Sequence, residues 1–145
     1  MHPSIELFTA EMESCNAHFP KAQLPPNCSV LMEPEYLEYE SRLSLKISFP
    51  VKKEYLNPML GMQGGFIAAA FDNVFGPLSY LAARIPCTTL DLNTNYIRPI
   101  AEKDSLIVTA RVVSRGQSTM HLAAEAVNGK GKLIATCSTH MMIMK

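Results

Sequence analysis

The segment from Gly64 to Arg84 restricts the fold more than any other. It reads GGFIAAAFDNVFGPLSYLAAR and is the most apolar stretch of the chain. The consecutive alanines Ala68, Ala69 and Ala70 favour helix over strand, so the spacing predicts one long helix over 64–84. Its apolar residues fall on nearly every face, which marks a helix enclosed by other elements. Pro77 lies inside it, removes one backbone hydrogen bond and crowds the carbonyl of Asn73, so a kink is expected there. Such a helix cannot bury itself, and the rest of the chain must supply the cover.

The flanking sequence supplies strands for that purpose. Leu43, Leu45, Ile47, Phe49 and Val51 alternate with polar residues and proline, a half-buried strand. After the helix, strand-like runs cover 88–98, 104–114, 118–128 and 132–143, separated by turn signals at Arg98-Pro99, Arg115-Gly116 and Asn128-Gly129. Short connections predict that these runs are antiparallel neighbours. Upstream, Ile5, Phe8, Met12, Cys15 and Phe19 share one helical face, which predicts an N-terminal helix over 4–18 ended by Pro20. Residues 20–27 carry three prolines and read as a loop, a short strand is expected at 28–33, and 52–62 is a loop containing Asn57-Pro58 and Gly61. The class is α+β: a curved antiparallel sheet wrapped around one long central helix, in a single domain over 1–145.

Composition excludes several functions. The 13 basic and 13 acidic residues cancel, so no basic excess points to nucleic acid. The four cysteines contain no CxxC pair and read as free thiols of a reducing cytoplasm. The N-terminus has neither the basic nor the apolar region of a signal peptide, and no run is expected to approach the roughly 20 apolar residues that a membrane span needs. The four histidines are scattered without ligand spacing, so no metal is predicted, and no cofactor is called for.

Residues 57–72 read N-P-M-L-G-M-Q-G-G-F-I-A-A-A-F-D. This resembles the signature of the hotdog-fold acyl-CoA thioesterases, in the branch that includes the phenylacetate-pathway and 4-hydroxybenzoyl-CoA enzymes. Their common pattern is Asn, a few residues, Gly, one residue, His-Gly-Gly, then an acid on the helix. The resemblance continues through Gly76, Thr88 to Asn93 and Tyr96 to Pro99, and covers about residues 40–143. It implies a hotdog fold and hydrolysis of acyl-CoA thioesters to free acid and CoA. Asp72 then matches the catalytic acid, as general base or nucleophile. Gly64 matches the residue whose backbone N–H polarises the thioester carbonyl, with Gly65 beside it. Asn57 and Thr89 match polar groups near the attacking water. Gln63 stands where the family has His. It can orient a substrate through hydrogen bonds but cannot titrate near neutral pH. Met59 and Met62 flank the motif as candidates for an acyl channel, and Arg98, Arg115 and Gln117 as candidates for contacts to CoA.

The chemistry is consistent from first principles. Thioester hydrolysis builds negative charge on the carbonyl oxygen, and the amides at a helix N-terminus stabilise that charge. A carboxylate then activates water or attacks directly. Gly64 and Asp72 are eight positions apart, about 12 Å along one helix, while reacting atoms must approach to roughly 3–3.5 Å. One subunit therefore cannot present both groups to one substrate, and two antiparallel helices across a twofold axis can. A homodimer follows from the spacing, and the family's homotetramer, a dimer of dimers, from the resemblance. The competing functions are a non-catalytic acyl-CoA-binding or lipid-binding protein, which Gln63 favours, and a dehydratase, whose acid–histidine motif is missing.

Overall fold

The computed structural model describes residues 2–144. The central helix forms as its sequence predicts. We label it α3 (Gly64–Ala83), with Pro77 inside. It ends where Arg84 takes a left-handed conformation (φ 63°) and donates its N–H to the Tyr80 carbonyl at 2.7 Å. The helix α1 (Pro3–Asn16) and the strands β2 (Ser44–Pro50), β3 (Cys87–Tyr96), β4 (Ser105–Arg115), β5 (Thr119–Val127) and β6 (Leu133–Ile143) also lie close to the expected bounds. Together with β1 (Glu35–Glu40), the strands form one antiparallel sheet in the order β1-β2-β4-β5-β6-β3. The sheet packs on α3. Phe71, Val74, Phe75 and Leu78 of the helix are fully buried, facing Ile47, Phe49, Val108 and Leu122 of the strands. Each large side chain buried in this way contributes roughly 1.5–3 kcal/mol.

Four expectations need correction. Residues 28–33 do not form a strand: Asn27–Val30 is a single helical turn, α2, entered through Pro26. The strand β1 was not anticipated, because a bulge between Tyr36 and Glu38 breaks its period of two. Tyr36 pairs with Ile47 and Tyr39 with Leu45, so two tyrosines three positions apart face the same side. The strands on either side of Arg98-Pro99 are not neighbours either. β3 pairs only with β6, while β4 lies between β2 and β5. The connection passes beside the start of α3, where Met62 N–H bonds the Ile100 carbonyl at 2.9 Å, so it crosses the sheet instead of closing a hairpin. Finally, α3 is long and apolar enough to cross a membrane by length and composition, although most of it is buried inside the fold as its core helix.

Candidate active site

Asp72 is the one charged side chain on α3. It points away from the core and lies exposed, facing β3. Thr89 donates its hydroxyl to Asp72 Oδ1 at 3.0 Å. A second bulge produces this pairing. Thr89 pairs with Met141 on the helix side of the sheet, the register then shifts, and Asp91 pairs with His140 on the outer side. Asp91 is thereby turned away from the site. Its carboxylate accepts from the His140 backbone N–H at 2.8 Å and lies 3.0 Å from His140 Nδ1. Those contacts, the backbone N–H first, hold the carboxyl below its ordinary range. The acid beside Thr89 in sequence is thus a partner of histidine, and the acid on the helix is the partner of Thr89.

The Asp72–Thr89 pair opens into a cavity of about 590 Å³, a size typical of small-molecule sites. Its walls are largely apolar. Ile5, Phe8 and Met12 come from α1, Leu24 to Pro26 from the proline loop, and Gly76, Pro77 and Tyr80 from α3. Among the described residues, no lysine, arginine or histidine lines it. Sequence reasoning missed two groups that shape this space. Asn73 joins α2 to α3, donating from Nδ2 to the Cys28 carbonyl at 3.2 Å. The helix α1 is tied to the sheet on its other side: Ser4 Oγ accepts from the Tyr39 N–H at 2.9 Å, and Glu11 accepts from Tyr39 and Ser41 hydroxyls at 3.0 and 2.8 Å. The apolar face of α1 was legible in the sequence, but nothing there indicated that it would roof a cavity.

Gly64 lies at the other end of the motif. It is the first residue of α3, so its N–H and that of Gly65 have no partner within the helix. The Tyr96 hydroxyl donates to the Gly64 carbonyl at 2.7 Å. The Tyr96 ring lies so close that a Cβ on Gly64 would fall 3.0 Å from Tyr96 Cζ. β3 therefore runs back along α3, meeting Asp72 through Thr89 and Gly64 through Tyr96, and keeps the two halves apart within one chain.

The remaining sequence-derived residues are distributed as follows. Asn57 builds its own loop: its Oδ1 accepts from the N–H groups of Met59 and Gly61 at 2.9 and 3.1 Å, as expected of an Asn-Pro turn. Gln63 is exposed and makes no capping bond at the start of α3. Met59 is 88% exposed and Met62 4% exposed, and neither lines the cavity. Arg98 donates to the Leu133 carbonyl at 2.8 Å near the Gly64 end. Arg115 shares a row across the sheet with Met120, Met141 and Thr89, so it belongs to the Asp72 end. Gln117 is exposed in the adjacent turn.

Comparison with known proteins gives consistent results. The family pattern described as "Thioesterase superfamily" matches residues 62–135, just over half of the chain. The acyl-coenzyme A thioesterase 13 proteins of Homo sapiens and Pongo abelii are each 28% identical over 87 residues, 59% of this chain. The match spans 62% of those relatives, less than two thirds of their length. Among solved structures, the PaaI protein of the E. coli phenylacetic acid degradation operon superposes with a TM-score of 0.82 at 18% identity, covering 95% of this chain and 96% of that one. A hypothetical thioesterase protein from Streptococcus pneumoniae, solved with coenzyme A, gives 0.76 at 17% identity over 92% and 96%. A Streptococcus mutans protein bound to acetyl CoA gives 0.74 at 19% identity over 86% and 94%. These structural likenesses establish the hotdog fold.

Proposed function

The chain belongs to the thioesterase superfamily, and from that premise we propose that it hydrolyses acyl-CoA thioesters to free acid and CoA. The observation that carries this reading is the Asp72–Thr89 pair, 3.0 Å apart at the mouth of an apolar cavity of about 590 Å³. Asp72 activates water or attacks the thioester carbon, and Thr89 fixes the carboxylate through Oδ1, leaving Oδ2 for the reaction. The acyl group occupies the cavity, and the CoA phosphates stay outside it, within reach of the exposed Arg115.

The oxyanion is stabilised by the Gly64 amide of a second copy. Two features support this. Gly64 and Asp72 are about 12 Å apart along one helix, and β3 is a ten-residue strand at the edge of the sheet. An unpaired edge of that length is a template for another strand. Pairing two β3 edges across a twofold axis brings the Gly64 half of one copy toward the Asp72 half of the other. The four free cysteines fit a cytoplasmic site of action.

The test is CoA release from a panel of acyl-CoA thioesters. Wild type turns them over, and Asp72→Asn loses at least ~100-fold in kcat, the scale of a general base. Full activity in Asp72→Asn would overturn the assignment. Gln63, exposed and unable to titrate, favours a second reading in which the protein binds acyl-CoA without hydrolysis. Tight binding with no CoA release by wild type would select that reading.

A further inference from the structure

We propose that Gly76 sizes the acyl cavity and that the cavity takes a straight acyl chain of medium length lying along α3 beneath α1. The inference rests on the hydrolytic reading above for its substrate. Asp72, Gly76 and Tyr80 all line the cavity and lie one helical turn apart in succession. The eight positions from Asp72 to Tyr80 span about 12 Å, which suits a chain of about eight carbons. Gly76 is the midpoint of that path.

Glycine is unfavourable inside a helix, where it loses more conformational freedom than any other residue. At Gly64 a packing reason for it is visible, because the Tyr96 ring occupies the place of a Cβ. At Gly76 no such neighbour exists: a Cβ built there meets nothing within 4 Å. The missing side chain leaves open space, and that space is the cavity. Phe8 and Met12 of α1 form the facing wall. Among the described residues, the charged ones at the cavity, Asp72 and Glu13, are both acidic, which disfavours an acyl group ending in a second carboxylate. Pro77 gives Gly76 a separate, structural reason, since proline crowds the Cβ of the residue before it in a helix. That reason predicts an effect on stability alone, whereas a sizing role changes which chain lengths are accepted.

The experiment measures kcat/KM for butyryl-, octanoyl- and dodecanoyl-CoA in wild type, Gly76→Val and Met12→Ala, with Gly76→Val repeated in a Pro77→Ala background. Wild type prefers octanoyl-CoA. Gly76→Val lowers the octanoyl-to-butyryl ratio at least tenfold in both backgrounds, and Met12→Ala moves the preference toward dodecanoyl. Where Gly76→Val does not fold, Gly76→Ala lowers the same ratio severalfold. A folded Gly76 variant with the wild-type profile, or a wild type that prefers butyryl-CoA, overturns the proposal. If no acyl-CoA is hydrolysed at all, the hydrolytic reading fails, and calorimetry with S-butyl-, S-octyl- and S-dodecyl-CoA thioethers decides the sizing question. Preferential binding of the octyl compound, lost in Gly76→Val, supports the inference. Equal binding of all three, or of none, overturns it.

Discussion

Two glycines of one helix lack side chains for opposite reasons. Gly64 is crowded, with the Tyr96 ring 3.0–3.2 Å from where its Cβ would stand, and Gly76 faces open space. Gly64→Ala therefore pushes the Tyr96 ring, itself 52% exposed, aside by a few tenths of an ångström and strains its hydrogen bond to the Gly64 carbonyl, at a cost of about 1 kcal/mol, the low end of overpacking. In a Tyr96→Val background the same substitution costs less, because its neighbour is gone. Urea unfolding of the four proteins of this cycle tests the coupling, and strictly additive costs would refute it. The residues that matter here were largely legible beforehand. Asp72, an acid in an apolar helix, needed a reason to be there, and Gly64 stood at the expected helix start. Tyr96 was not legible as the residue that packs on Gly64, because its contact depends on how β3 runs back over α3.

Among the elements, α1 shows most clearly how an amphipathic pattern leaves a role undetermined. Its apolar face both packs on β1 and roofs the cavity. Phe8 stacks on Tyr36 at 5.0 Å and meets Tyr39 edge-on at 5.4 Å. Tyr39 then donates to Glu11 and accepts the Arg42 N–H at 2.8 Å. Burial pushes the Tyr39 phenol up from its usual 10.0 to about 12; the Arg42 N–H opposes the shift and Glu11 adds to it. Folding thus holds a proton that the unfolded chain releases earlier. The stability this provides is complete below about pH 10 and disappears as the pH rises through about 12. Tyr39→Phe should flatten the fall in urea midpoint across that window, and an unchanged slope would exclude Tyr39 as its source. The strand β1 itself escaped the sequence reading because its bulge places Tyr36 and Tyr39 on one face, a spacing of three that period-two counting rejects.

At the scale of the whole molecule, the sheet has two unlike edges. β1 is short and tied to α1 through Ser4 and Glu11. β3 is long and presents Leu90, 55% exposed at its bulge, along the free edge. If two copies pair there, a charge at Leu90 is carried into the interface between them, an arrangement that opposes association. Light scattering should give twice the chain mass for wild type and a shift toward one chain mass for Leu90→Glu, with activity falling in parallel. A monomeric, fully active wild type would refute the shared site.

The sequence by itself determined the central helix, five of its covering strands, the acid on its face and the glycines at its start. These follow from local periodicity and propensity, which depend only on near neighbours along the chain. Only the tertiary structure decided that β3 pairs with β6, that bulges turn Thr89 inward and Asp91 outward, and that α1 closes a cavity over Asp72. Each of those depends on register between distant segments, and a shift of one residue reverses the face to which a side chain points.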